Sequence, residues 1–210
     1  AANLTAAIAA HDAALANATV FTVTTTTTVA QAHAIHGYNA VSALATYALS
    51  DTAANLAAAV TANDPALAKS TSEVVTSAAT IAQASAILSY NATWASTIVY
   101  ALADTAANLS AAISANSAAL NNAISLAVTG SASVAEGDTI HSYAAFWGLP
   151  LAFTLTDTAA NIAAAISSAD PALADVTSFV ITGNVTVAQA NTILGFNAVS
   201  SHATYALLDT

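Results

Sequence analysis

The segment Asp51-Thr-Ala-Ala-Asn-Leu56 decides the fold of this chain, because it recurs at almost constant spacing. It returns at residues 104–109 and, with isoleucine in the last position, at residues 157–162. With Asp209, the aspartates that open the segment lie 53, 53 and 52 residues apart. The chain is therefore four copies of one unit, at 1–52, 53–105, 106–158 and 159–210. One such unit cannot bury its apolar face alone, so adjacent copies are expected to stack.

The copies are expected to form a single repeat array over residues 1–210, because no Gly-, Pro- or Ser-rich linker separates them. Both ends of the chain fall at the same point of the repeat, which favours a segment of a longer array. The alternative is a β-sandwich or a compact α+β unit in each 53-residue copy, with the copies strung like beads.

Charge is scarce and almost entirely negative. The 210 residues include one lysine, Lys69, no arginine and eleven acidic residues, and only 6% of residues are charged, against about 25% in typical domains. One basic side chain cannot neutralise a row of phosphates, so nucleic acid is excluded as a partner, and anionic membrane surfaces are not expected as partners for the same reason. No apolar run reaches the roughly 18 residues of a membrane span, so no membrane insertion is predicted. Cysteine is absent, which excludes disulfides and thiolate chemistry.

Each copy is predicted to open with a short Ala-rich helix, at residues 2–9, 54–61, 107–114 and 160–167. The aspartate before the helix is well placed as its N-cap in three copies, at Asp51, Asp104 and Asp157. Leu4, Leu56, Leu109 and Ile162 hold equivalent positions in the Ala-rich helices. Eleven residues after each lies a leucine that is predicted to anchor the core: Leu15, Leu67, Leu120 and Leu173.

A second helix is predicted from a capping box, the pattern S/T-x-x-E/Q, which occurs in register in all four copies. The pairs are Thr28 with Gln31, Thr80 with Gln83, Ser133 with Glu136, and Thr186 with Gln189. The helix is expected to run to an aromatic residue, at Tyr38, Tyr90, Tyr143 and Phe196. Asn39, Asn91 and Asn197 follow as expected helix stops, whereas the third copy has Ala144 instead.

Two β-type runs complete each copy. The first is predicted at residues 20–24, 74–76, 126–129 and 179–182, and the second at 46–50, 99–102, 151–155 and 204–208. Large residues alternate along the second run, as a sheet covered by helices requires. Their pairs are Tyr47 with Leu49, Tyr100 with Leu102, Phe153 with Leu155, and Tyr205 with Leu207.

These elements predict an α/β fold, a repeat solenoid of about eight β/α coils. Its parallel strands would stack into one sheet, covered by short Ala-rich helices through right-handed crossovers.

Catalytic, metal and cofactor sites are not predicted. The repeated aspartates could bind Ca²⁺, but no second carboxylate accompanies them at a fixed spacing, and helix capping explains them. His33 and His36 lie i, i+3 on a helix and could share a metal, yet no complete ligand set repeats. The common catalytic and phosphate-binding motifs are missing, so the chain is not predicted to be an enzyme.

Aromatic and large apolar residues concentrate in the third copy, and Trp94 lies in the second. Two interpretations stay open: these side chains fill the core beneath a local loop, or they form a patch that contacts another subunit. The candidate contact residues are Trp94, Tyr143, Phe146, Trp147, Leu149 and Phe153.

The repeated Asp-Thr-Ala-Ala-Asn-Leu phrase, followed by a Thr-x-Ala-Gln-Ala helix, resembles the tandem repeats of large secreted bacterial surface proteins of the adhesin-like or surface-layer-like kind. The resemblance covers all four copies and implies an extracellular or cell-surface location. We expect a structural protein that associates with itself into a filament, fibre or surface coat, with covalent glycans on Ser, Thr or Asn as a further hypothesis. An extracellular binding module for glycans or a receptor is the alternative.

Overall fold

The structure is a computed structural model that describes residues 1–18, 21–38, 45–90, 94, 97–196 and 205–208. It divides into two compact halves, Ala1–Tyr100 and Ala101–Thr210. Both halves are mixed α/β, with short helices and small sheets of parallel strands, and none of the described sheets closes into a barrel. The predicted α/β class is therefore confirmed at this level.

The first half holds four helices and two strands among its described residues. These are α1 (Ala2–Ala9), α2 (Val29–Gly37), β1 (Tyr47–Asp51), α3 (Ala53–Thr61), β2 (Ser70–Val75) and α4 (Ile81–Leu88). Two short 3-10 helices, Ala13–Asn17 and Pro65–Lys69, follow α1 and α3.

The second half repeats this order with more strands in its described part. The elements are β3 (Tyr100–Thr105), α5 (Ala106–Ser114), β4 (Ala123–Thr129), β5 (Ser131–Ala132), α6 (Val134–Trp147), β6 (Phe153–Thr158), α7 (Ala159–Ser167), β7 (Val176–Thr182), β8 (Asn184–Val185), α8 (Val187–Leu194) and β9 (Ala206–Leu207). The 3-10 helices Ala118–Leu120 and Pro171–Asp175 follow α5 and α7.

Strand pairing is parallel in every pair whose register is resolved, and its register repeats. Ala48 of β1 pairs with Ser72 of β2, and Thr154 of β6 pairs with Ser178 of β7. In both pairs the register shifts at the same point, directly after the aromatic residue that opens the strand. Copies that share only part of their sequence thus build the same local sheet.

Glycine lets one stretch of chain serve two strand pairs. Gly130 separates β4 from β5 and Gly183 separates β7 from β8, with φ of 84° and 77°, a conformation that favours glycine. As a result β4 pairs with β3 while β5 pairs with β6, and β7 pairs with β6 while β8 pairs with β9.

The predicted strand at residues 20–24 is not found in its described part. Residues 21–24 carry no strand, and in this copy only Thr27 forms an isolated parallel bridge, to Leu49. In the later copies the corresponding run pairs with a strand that precedes it, and the described residues before Thr27 contain no such strand. The position of Val20 lies outside the described residues.

The Ala-rich helices begin within one residue of their predicted starts and end where predicted. The residue after each helix cap has positive φ: His11, Asn63, Asn116 and Ala169, at 48–53°. The N–H of the residue that follows then donates to a carbonyl of the helix. Asp64 N–H, for example, donates to the Ala59 carbonyl at 3.0 Å. Asparagine tolerates this conformation better than alanine, so Ala169 carries the larger backbone cost.

The second helices end slightly before the predicted aromatic residue in three copies, at Gly37, Leu88 and Leu194. In the third copy α6 continues past Tyr143 and ends at Trp147. Gly148, with φ of 65°, is its C-cap. The third copy lacks the asparagine of the other copies, which agrees with its longer helix. Asn39, Asn91 and Asn197, the predicted stops, lie outside the described residues.

The core contains the residues that the repeat predicts. The anchors Leu15, Leu67, Leu120 and Leu173 are all buried. The alternating large residues of the second strand are buried in the first three copies. In the fourth copy Leu207, which lies in the two-residue strand β9, is 60% exposed. Gly137 of α6 replaces the alanine of the other copies and lies against Phe153, where an added Cβ would be 3.0 Å from Cζ.

Candidate functional site: contacts between adjacent copies

The carboxylate of Asp51 joins two helices to the end of a strand. Its Oδ1 accepts hydrogen bonds from the Thr52 N–H and from Nδ2 of Asn55, both at 2.8 Å. Its Oδ2 accepts the N–H of Val29, the first residue of α2, at 2.9 Å. Asp51 ends β1, so one side chain connects that strand to α2 of the same copy and to α3 of the next.

The third copy repeats this arrangement, and the second copy repeats its Oδ1 bonds. Asp157 Oδ2 accepts the Val134 N–H at 3.0 Å, and Oδ1 accepts from the Thr158 N–H and Asn161 Nδ2, both at 2.7 Å. Asp104 Oδ1 makes the equivalent bonds to the Thr105 N–H and the Asn108 amide. We call these three carboxylates, Asp51, Asp104 and Asp157, the junction aspartates.

Hydrogen bonding keeps the Asp157 carboxylate ionised. Burial acts to raise its pKa, but the N–H groups of Val134 and Thr158 and the amide of Asn161 outweigh burial and lower that pKa. A carboxylate that accepts several N–H groups is favoured in its charged form, and its contribution to folding is present when it is charged.

The prediction that the junction aspartates are N-caps is wrong by one residue. The N-caps are Thr52, Thr105 and Thr158, whose Oγ1 atoms accept the N–H of the residue three positions on at 3.2–3.3 Å. Each threonine has the extended conformation of an N-cap, whereas each aspartate is still in its strand and reaches across the junction. The side chains of Asn55, Asn108 and Asn161, which sequence reasoning missed, complete the site.

All four predicted capping boxes form. At the start of α2, for example, Thr28 Oγ1 accepts the Gln31 N–H at 3.2 Å, and Gln31 Oε1 accepts the Thr28 N–H at 3.1 Å. The same two bonds form at Thr80 with Gln83, at Ser133 with Glu136, and at Thr186 with Gln189. Each box satisfies two helix N–H groups that would otherwise lack a partner.

A second contact joins the capping-box helix of one copy to the 3-10 helix of the next. In the first half, His33 Nδ1 of α2 lies 2.9 Å from Asp64 Oδ2, at the N-cap of the 3-10 helix. Tyr47 Oη donates to the Ala66 carbonyl at 2.7 Å. Burial, with a smaller effect of Asp64, raises the pKa of Tyr47 to about 12, so the phenol remains a donor.

The equivalent contact in the second half has different charges. Position 138 is the fifth residue after the cap Ser133, as position 33 is after Thr28, and it holds aspartate instead of histidine. Asp138 lines one cavity with Asp170, which caps the next 3-10 helix. One turn further along α6, His141 Nδ1 lies 2.7 Å from Asp175 Oδ2.

Two of the candidate subunit-contact residues are buried and belong to the core. Trp94 is 2% exposed and contacts Tyr90 with ring centroids 4.6 Å apart and ring planes tilted by 49°, and Phe153 is 3% exposed beside Gly137. For these two residues the core-filling interpretation is the one that fits, because Phe153 opens a covered strand and Trp94 is buried against Tyr90.

The remaining candidates lie at the end of α6. Phe146 and Trp147 are 79% and 58% exposed, while Leu149 and Tyr143 are partly buried. Tyr143 Oη donates to the Leu120 carbonyl at 2.9 Å, which holds its ring in place. A groove of about 610 Å³ lies beside these rings, and Ile113, Leu120 and uncharged Asn and Ser side chains form its other wall.

Metal-ligand geometry is absent from the part of the chain that the structure describes. No group of three His, Asp or Glu side chains there is arranged to hold an ion. His33, one member of the pair considered for metal binding, is engaged with Asp64.

Comparisons with known proteins do not assign the chain to a family: no family model, no curated protein and no solved structure matches it. Within the described residues, no helix has the length and apolar character to cross a membrane.

Proposed function

We propose that this chain is a structural protein of an extracellular surface, in which the copies stack as a β/α solenoid and the molecules associate end to end. The observation that carries the proposal is the pairing of β6 with a parallel strand on each side. In the second half, Ser131 pairs with Thr154, and Thr154 pairs with Ser178, at steps of 23 and 24 residues. Constant steps between parallel partners are the pattern of a solenoid.

The junction aspartates support the stacking of copies. Each bonds a helix of the next copy through an asparagine, and Asp51 and Asp157 also bond the helix of their own copy. Their repetition explains why the Asp-Thr-Ala-Ala-Asn phrase recurs, since each of its polar residues has a bonding role at the junction.

End-to-end association is supported by an apolar stripe that is only partly covered. Leu56, Leu109 and Ile162, at equivalent positions of three copies, are fully buried. Their equivalent in the first copy, Leu4 of α1, is partly exposed, and α1 buries none of its residues. In the fourth copy Leu207 and Leu208 are 60% and 55% exposed. A further copy stacked in the same way would cover both surfaces.

The extracellular location is supported by composition and by the resemblance to secreted surface repeats. A chain with no cysteine, one basic residue and a Thr-, Ser- and Asn-rich surface is compatible with that setting.

Leu4→Asp is expected to weaken self-association at least tenfold, because burying a leucine contributes about 1.5–3 kcal/mol and a tenfold change is 1.4 kcal/mol. Sedimentation velocity over a range of protein concentrations measures the effect. Val180→Asp is the matched control, because Val180 is also exposed but lies on β7. A wild-type chain that is monomeric at every concentration, or an equal effect of the two variants, would contradict end-to-end association.

A binding module remains the second candidate, and the groove beside Phe146 and Trp147 favours it. Exposed aromatic rings next to uncharged amide and hydroxyl groups suit a neutral glycan. Retention of monomeric chain on a glycan array, lost in Trp147→Ala, would support this function over the structural one.

A further inference from the structure

The contact between the third and fourth copies places two carboxyl groups where the first and second copies have a histidine and an aspartate. Asp138 and Asp170 line one cavity of about 180 Å³ together with His141. His33 and Asp64 occupy the equivalent positions in the first half, 2.9 Å apart. The two contacts share their backbone setting, so the difference lies in the side chain at position 138.

Asp138 lacks a hydrogen-bond donor among the described residues. Its Oδ1 is buried without a donor partner. The neighbouring Asp170 already accepts the Ala172 N–H with its Oδ1 at 2.9 Å. A carboxyl group can donate to another only when one of the two carries a proton, and two adjacent charged carboxylates repel each other.

The other charged groups around Asp138 do not remove this repulsion. Glu136, on the same helix, is held in the capping box with Ser133. Asp157 lines a shared pocket with Asp138 and Asp170 and adds a third negative charge. His141 is the only basic side chain there among the described residues, and its Nδ1 lies 2.7 Å from Asp175, the last residue of the 3-10 helix.

We propose that Asp138 and Asp170 share a proton, and that this proton makes the contact between the third and fourth copies tighter in acid than at neutral pH. The direction of the Asp138 pKa agrees: burial, then the hydrogen bond to Asp170 and its charge, raise that pKa, while His141 acts in the opposite direction. A raised pKa in the folded state contributes stability at low pH that is lost as pH rises through it. Both residues lie in one chain, so the inference does not depend on self-association.

The test compares melting temperatures at pH 4.5 and pH 7.5 for three chains: wild type, Asp138→Asn and His33→Asp. Asparagine keeps the shape of Asp138 and donates to Asp170 at any pH. Asp157 does not contribute to the difference in melting temperature between pH 4.5 and pH 7.5. Its pKa in the folded chain is lowered, so its contribution to stability is complete above the ordinary aspartate pKa of about 3.9. The other titrating groups are common to wild type and Asp138→Asn and cancel in their difference.

Asp138→Asn is expected to melt about 3–6 °C higher than wild type at pH 7.5 and to lose most of that advantage at pH 4.5. His33→Asp builds the same carboxyl pair in the first half. It is expected to melt below wild type at pH 7.5 and to recover in acid.

Three results would overturn the proposal. One is an Asp138→Asn chain whose pH dependence equals that of wild type. Another is a His33→Asp chain with no added pH dependence. The last is a rise in the wild-type melting temperature with millimolar calcium at pH 7.5 that is lost in Asp138→Asn, which would make the pair a cation site.

Discussion

Replacing Asp51 with alanine is expected to lower the melting temperature of the chain by about 6–12 °C. The substitution leaves three donors without their partner: the N–H groups of Val29 and Thr52 and the amide of Asn55. An unsatisfied buried donor costs about 1–3 kcal/mol of folding free energy. These three donors are only partly buried, so water can bond to them and lower that cost. A total of about 3 kcal/mol corresponds to that shift for a chain of about 200 residues.

Asp51→Asn is expected to lower the melting temperature by about half as much as Asp51→Ala. Its carbonyl oxygen still accepts from Thr52 and Asn55, but its NH₂ group cannot accept the Val29 N–H. Asp12→Asn serves as the charge control, because it removes one negative charge from a chain of net charge −10 at an exposed helix cap. Thermal unfolding followed by circular dichroism measures all three. An Asp51→Ala chain no less stable than Asp12→Asn would show that the junction contributes nothing.

Leu56→Ala is expected to lower the melting temperature by a similar amount, about 6–12 °C, because it removes a fully buried side chain and leaves a cavity. Such substitutions cost about 2–5 kcal/mol. Leu4→Ala is the matched control at the same position of the first copy, where the side chain is partly exposed. In dilute solution it is expected to cost about 1 kcal/mol or less.

The comparison between these two leucines also reports on stacking. If another molecule covers Leu4, the cost of Leu4→Ala must increase with protein concentration, because association stabilises the folded chain by mass action. The cost of Leu56→Ala must not increase with protein concentration, since Leu56 is buried within one chain. Equal costs at all concentrations would show that nothing covers the stripe on α1.

Local elements of this chain could be predicted from its sequence because the same signal occurs four times. The capping boxes and the anchors at Leu15 and its equivalents rest on local chemistry that each copy repeats, and they were found where expected. The Ala-rich helices were placed within one residue for the same reason.

Contacts between elements could not be predicted in the same way. The sequence places Asp51 directly before a helix and so predicts that it caps that helix. It gives no sign of the bond to α2, whose Val29 N–H lies 22 residues earlier in the chain. Trp94 and Trp147 occupy equivalent positions in their copies, yet one is buried and the other exposed. Trp147 is the last residue of α6, whereas α4 ends at Leu88, six residues before Trp94.

The carboxyl pair at Asp138 and Asp170 was within reach of sequence reasoning. Aligning the copies sets His33 beside Asp138, and it sets the Asp-Pro of residues 64 and 65 beside that of residues 170 and 171. The alignment does not show that α2 and α6 pack on the next 3-10 helix, which brings together residues about 30 positions apart.

Cross-linking between two single-cysteine variants tests the proposed end-to-end stack most directly, because the natural chain has no cysteine. One variant carries Leu4→Cys and the other Leu207→Cys, which label the two partly uncovered apolar surfaces. If molecules stack end to end, a short thiol cross-linker gives dimers in the mixture of the two, little dimer in either alone, and a ladder of oligomers in the double variant. Ala135→Cys, at an exposed position of α6, replaces either partner as the control. Cross-linking of the mixture no greater than with this control would contradict the account.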